Sequence, residues 1–177
     1  RRYGLYIPSG YVLGGPVPLV VVVHGCRINE RAMMDGTGYE VPAERDKFIV
    51  LYPYIGENDT DKTNDDGGRN PRCWGFWQPT FDGSALNDEI HRDKGEAGDI
   101  KRIIDAVKSQ YTIDANRVYV TGISSGGAEV VIQATTYPDV YAAAAPVEGV
   151  PYRETTAVYS GTTACSTVLN NTTSTYA

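Results

Sequence analysis

Val118-Tyr119-Val120-Thr121-Gly122-Ile123-Ser124-Ser125-Gly126-Gly127 is the stretch on which the fold of this chain turns. A β-branched, apolar run passes directly into Gly-x-Ser-x-Gly, and an Ala/Val-rich helical pattern follows. In a strand–turn–helix context, that pentapeptide reads as a nucleophile elbow. The elbow holds a serine on a tight turn with its Oγ raised above a sheet. Gly122 and Gly126 leave room for strand and helix to approach closely. The reading names acyl transfer through serine as the reaction class and Ser124 as the nucleophile. A serine hydroxyl is a weak nucleophile at neutral pH and needs a base to take its proton.

Outward from the elbow, the patterning alternates strand and helix. Residues 2–7 alternate as an edge strand. Residues 19–23 form a continuous aliphatic run, as in a parallel strand buried on both faces. Residues 31–45 are weakly helical and interrupted by Gly36, Gly38 and Pro42. Residues 48–52 are a second buried strand, ended by Pro53. Residues 96–111 place Ala97, Ile100, Ile103, Ile104 and Val107 on one helical face. Asp114-Ala115-Asn116-Arg117 turns the chain into the elbow strand. The helix after Ser124 runs to about Tyr137, where Pro138 stops it. Residues 141–147 form a small-residue strand beside the elbow strand. This alternation implies an α/β fold with a mostly parallel sheet and helices on both faces.

At 177 residues, the chain is one domain with a real core. Its net charge of −6 argues against a nucleic-acid surface or a basic membrane patch. The longest apolar run, residues 17–23, is far shorter than the roughly 18 residues of a membrane span. No signal peptide is visible at Arg1. Residues 57–72 are polar, Gly-rich and charged, and read as a long surface loop. They fail the calcium-loop pattern, because Thr63 stands where a carboxylate belongs and no terminal Glu follows. From residue 155 onward the chain has no clear period and reads as a poorly patterned tail. Three Asn-x-Ser/Thr sequons, at Asn58, Asn170 and Asn171, mildly favour a secreted chain. Of three cysteines, Cys26 and Cys73 sit beside expected loops and either pair, leaving Cys165 odd, or all three remain reduced.

The amide of Ser125, first in the helix, is expected to face the developing oxyanion. The second donor belongs on the loop after the central strand, His24-Gly25-Cys26, and the Cys26 N–H fills that place. His24 reads as a brace of this loop, and His91, amid charged residues, as solvated.

Together these segments resemble the polyhydroxybutyrate depolymerases and the related feruloyl and acetylxylan esterases. The resemblance rests on residues 18–26, on Cys73-Trp74, on residues 117–128, on 136–143 and on Gly149-Val150-Pro151-Tyr152. It implies an α/β-hydrolase fold and a secreted, extracellular carboxylic-ester hydrolase acting on a polymeric ester, with no metal or organic cofactor. It also implies Ser124 as nucleophile, Cys26 and Ser125 as oxyanion amides, and a Cys26–Cys73 disulfide. Trp74 and Trp77 flank the expected mouth and read either as large aromatics packed in the core or as a hydrophobic substrate floor.

One part of the pattern is missing. In this fold, the triad acid and then the histidine follow the serine. No residue after Ser124 is histidine, and the acids there are Glu129, Asp139, Glu148 and Glu154. Neither Glu129 nor Asp139 stands where a triad acid belongs, and Glu148, after the next strand, has a tolerable location. The expectation is a single, incomplete α/β-hydrolase domain over residues 1–177, lacking the C-terminal strands that carry Asp and His. The alternative is a catalytically dead domain that binds polyester or carbohydrate. An incomplete sheet would expose an edge and apolar surface beside residues 141–147.

Overall fold

The computed structural model describes residues 1–56, 72–75 and 90–152. Strands and helices alternate as β1 (Tyr3–Tyr6), β2 (Val17–Val23), α1 (Glu30–Thr37), α2 (Glu40–Asp46), β3 (Ile49–Pro53), α3 (Gly95–Gln110), β4 (Ile113–Ile123), α4 (Ser125–Thr136) and β5 (Ala143–Val147). The strands share one sheet in the spatial order β1-β3-β2-β4-β5. β3, β2, β4 and β5 run parallel, and β1 closes one side antiparallel to β3.

The aliphatic run of β2 lies at the centre because both its faces are covered. Leu19, Val21 and Val23 join Ile49, Leu51, Val118 and Val120 on the face packed by Ile100, Ile104 and Val107 of α3 and Val130 of α4. Val22 points the other way, with Val50 and Tyr52, onto Met33 of α1 and Ala43 of α2. A strand alternates its side chains, so one apolar run supplies two cores. All five expected apolar positions of α3 are buried.

Three local readings are refined. The weakly helical stretch is two helices, and the break falls at Gly38 (φ 63°) alone. Gly36 stays inside α1, capped at its start by Asn29, whose side chain accepts from the Ala32 amide at 2.8 Å. Pro42 sits in the first turn of α2, where no intrahelical donor is lost. The turn expected at Asp114 is a bulge within β4. Val17 pairs with Ile113 but Leu19 with Val118, so β4 carries extra residues there. Asp114 holds the bulge by accepting from the Asn116 amide (2.9 Å) and the Arg117 side chain (2.7 Å).

β5 begins at Ala143, two residues later than expected, because Tyr141 turns back to donate to Gln133 of α4 at 2.8 Å. β5 ends the sheet, its five residues are exposed, and among the described residues no strand pairs with its outer edge. The loop reading over 57–71, the tail from 155, the three sequons, Trp77, Glu154 and Cys165 lie outside the described residues.

Candidate active site

Ser124 stands between β4 and α4 with φ 58° and ψ −121°, a region that L-residues rarely occupy. It is held there from both sides. Its amide donates to the Val147 carbonyl of β5 at 3.0 Å, and its carbonyl accepts from Ala128 at 3.0 Å. The side chain is exposed at the C-terminal ends of the parallel strands, where open α/β sheets bind their ligands.

The glycines flanking the serine are dictated by contact. A Cβ on Gly122 would lie 2.6 Å from the Val23 carbonyl oxygen and 2.8 Å from that of Gly126. A Cβ on Gly126 would lie 2.5 Å from the His24 carbonyl oxygen and would also strike that of Val23. Backbone on both sides leaves no space for a methyl group, so β2, β4 and α4 converge only with glycine at these points. Ser125 opens α4 and is 4% exposed, and its Oγ is buried with no hydrogen-bond partner among the described residues.

The loop after β2 runs alongside the elbow. An ideal Cβ on Gly25 would sit 3.4 Å from the Ser124 Cβ and 3.2 Å from the Ile123 carbonyl oxygen. His24 is fully buried. Its Nε2 accepts from the Ile55 amide at 3.2 Å, which fixes the tautomer and leaves Nδ1–H to donate to the Gly25 carbonyl at 2.8 Å. Burial lowers its pKa to about 4, outweighing the opposing pull of the Gly25 carbonyl. Both ring nitrogens are engaged in structure, so His24 braces the loop and is no free base. His91 is half-buried in the turn before α3.

Cys26 is disulfide-bonded to Cys73, as the family resemblance implies. Trp74 corrects one expectation. Its side chain is fully buried, its indole N–H donates to the His24 carbonyl at 2.8 Å, and its ring lies 5.3 Å from the imidazole. An indole with no exposed surface offers no floor to a substrate. It is packed behind the loop because the adjacent Cys73 is tied there.

The acids after Ser124 are placed as follows. Asp139 accepts two bonds from Arg92, at 2.6 and 2.8 Å, which lowers its pKa to about 2. Glu148 is exposed at φ 52°. Glu129 is fully buried on α4 and accepts from Gln133 at 2.8 Å, and Gln133 also donates to the Ala97 carbonyl at 3.1 Å. This buried polar row was missed from sequence, although Glu129 and Gln133 stand four apart, the spacing that places side chains on one helix face. Among the described residues, no hydrogen bond joins Ser124 to a histidine. Beside the nucleophile lies an apolar groove of about 350 Å³, lined by Val22, Ile28, Met33, Ile123 and Val147.

The parallel sheet, the strained serine between strand and helix, and the helices on both faces define an α/β-hydrolase fold. The Esterase PHB depolymerase family profile matches residues 1–169. Poly(3-hydroxyalkanoate) depolymerase C of Paucimonas lemoignei is 35% identical over 161 residues, covering 91% of this chain and 34% of its own length. Acetylxylan esterase A of Emericella nidulans is 33% identical over 147 residues, covering 83% of this chain and 41% of its own. Among solved structures, an acetyl xylan esterase from Aspergillus awamori superposes with a TM-score of 0.68 at 25% identity, over 84% of this chain and 47% of that one. This chain belongs to the Esterase PHB depolymerase family. It spans less than half the length of these relatives.

Proposed function

We propose that this chain carries the nucleophile and oxyanion hole of a serine ester hydrolase acting on a polymeric ester. The observation that supports the reading best is Ser124 at φ 58°, exposed at the strand ends with Gly25 against it. Ser124 Oγ attacks the ester carbonyl, and the amides of Cys26 and Ser125 stabilise the tetrahedral oxyanion. Collapse expels the alcohol and leaves an acyl-enzyme, which water then hydrolyses. This sequence of steps calls on no metal or organic cofactor. The substrate is a polyhydroxyalkanoate, or an acetyl or feruloyl ester on xylan. The Cys26–Cys73 disulfide suits an extracellular setting.

Neither the base nor its acid partner is assigned within residues 1–177. His24 is committed to the loop, and no histidine follows Ser124. A serine without its base keeps only oxyanion and binding contributions and loses most of its rate. That same lack favours a second reading, a domain of this family that binds polyester or carbohydrate without cleaving it.

p-Nitrophenyl acetate hydrolysis and fluorophosphonate labelling separate the two. The product of the complete reading frame is expected to turn over rapidly and to lose this with Ser124→Ala, whereas residues 1–177 alone give only slow background. Rapid turnover by residues 1–177, abolished by Ser124→Ala, overturns the assignment of the base. A complete product that retains insoluble polyester or xylan without hydrolysis favours the binding reading.

A further inference from the structure

We propose that Trp74 is a positioning residue for the oxyanion hole, acting through His24 on the direction of the Cys26 N–H; this rests on the reading of Ser124 as nucleophile. Two consecutive peptide planes link the indole to the Cys26 amide. A peptide unit is planar and trans, so its C=O and N–H point in opposite directions, and fixing one aims the other. The Gly25 carbonyl shares its plane with the Cys26 amide. That carbonyl is held by His24 Nδ1–H at 2.8 Å, so the Cys26 N–H is aimed away from the imidazole. The preceding plane carries the His24 carbonyl, which receives the Trp74 indole N–H at 2.8 Å.

The His24 carbonyl oxygen also lies against Gly126, where a Cβ would be only 2.5 Å away. The same carbonyl oxygen thus meets the indole N–H and the first turn of α4, which begins with the other donor, Ser125. The gap between the two donor amides is set between Trp74 and Gly126.

Three successive residues anchor this clamp. Cys73 is bonded to Cys26, Trp74 to the His24 carbonyl, and the Gly75 amide donates to the buried Glu96 carboxylate of α3 at 2.6 Å. The imidazole is fixed independently by the Ile55 amide at 3.2 Å. Loss of the indole N–H thus frees the His24–Gly25 plane that adjoins the Cys26 amide, while the disulfide and the Ile55 bond to the imidazole keep the loop folded. The expected result is a loosened donor in a folded protein.

The test removes the indole N–H in two ways: by Trp74→Phe, and by site-specific incorporation of the isosteric 3-benzothienylalanine at position 74, which keeps the ring volume if the Phe variant folds poorly. In residues 1–177, where no turnover is needed, the amide resonances and hydrogen exchange of Gly25 and Cys26 are expected to change while the melting temperature and the disulfide persist. In the complete product, kcat for p-nitrophenyl acetate should fall about tenfold with KM within about twofold, since a misplaced donor is felt in the transition state. An alkylboronic acid, which mimics the tetrahedral adduct, should bind about tenfold more weakly. Unchanged Cys26 resonances and exchange, or unchanged kcat, overturn the proposal. A raised KM at constant kcat also overturns it, assigning the indole to substrate binding. If Ser124→Ala leaves hydrolysis intact, the catalytic reading fails, and the amide measurements still decide whether Trp74 orients Cys26.

Discussion

The backbone of Gly126 packs so closely on His24 that a Cβ at Gly126 would lie 2.5 Å from the His24 carbonyl oxygen. Three pieces of chain distant in sequence meet at this contact: the end of β2, the elbow, and the Trp74 indole that bonds the same carbonyl. Neither partner can yield, because the obstructing atoms are backbone. Gly126→Ala is expected to destabilise the fold by about 3 kcal/mol, at the upper end for an overpacked site. A urea titration should show a lower midpoint. An Ala variant as stable as the parent would mean that α4 shifts freely against β2.

Ser124 carries the opposite sign. Its φ of 58° and ψ of −121° suit glycine far better than serine. Backbone strain of this kind costs about 1–3 kcal/mol, and glycine gives back about 1 kcal/mol through the entropy of the unfolded chain. Ser124→Gly is therefore expected to stabilise the protein by about 1 kcal/mol while removing the nucleophile. Thermal melts of Ser124→Gly and Ser124→Ala measure this, with the glycine variant the higher of the two. The reverse order would place the strain elsewhere.

The elbow was legible because the feature that specifies it is local. Gly122, Ser124 and Gly126 sit within five residues, and each answers a steric demand of one turn. The central strand was legible for a similar reason, since a strand covered on both faces must be apolar throughout. The role of Trp74 was not legible. A tryptophan beside an expected cleft suits a substrate floor or a core, and only its bond to the His24 carbonyl, 50 residues away in sequence, decides between them. Asp114-Ala115-Asn116-Arg117 has the chemistry of a turn and forms a bulge in β4 instead. Whether such a stretch ends the strand or bulges within it depends on Val17 and Leu19 of the partner strand. The burial of Glu129 depends likewise on where α3 lies, which no local pattern states.

His24 makes stability depend on pH in a defined window. Burial lowers its pKa from the ordinary 6.5 to about 4 in the folded state. Between these values the unfolded chain holds the extra proton, so stability rises with pH from about 4 to about 6.5 and is lost as pH falls through the same range. The full effect is about 3 kcal/mol at most. Asp139, held near 2 by Arg92, contributes stability that is lost only below its ordinary value of 3.8, at lower pH than the histidine. Urea midpoints measured from pH 4 to 7 should climb in the parent. The slope should flatten in His24→Gln, whose amide cannot titrate. An unchanged slope in that variant would assign the dependence to another group.

Among the described residues, no strand pairs with the outer edge of β5. All five residues of β5 are exposed, none is charged, and β5 ends the sheet. Val147 is 45% exposed and lines the apolar groove with Val22, Ile28, Met33 and Ile123. An uncharged edge strand beside apolar surface is a template for pairing with another chain. Residues 1–177 are therefore expected to self-associate with rising concentration. Val147→Lys places a charge on that edge. It leaves in place the backbone bond from the Ser124 amide to the Val147 carbonyl, 3.0 Å long, because only the side chain changes. Sedimentation velocity over a concentration series should show larger species in the parent and chiefly monomer in Val147→Lys, with circular dichroism unchanged. Equal association in both proteins would locate the sticky surface away from β5.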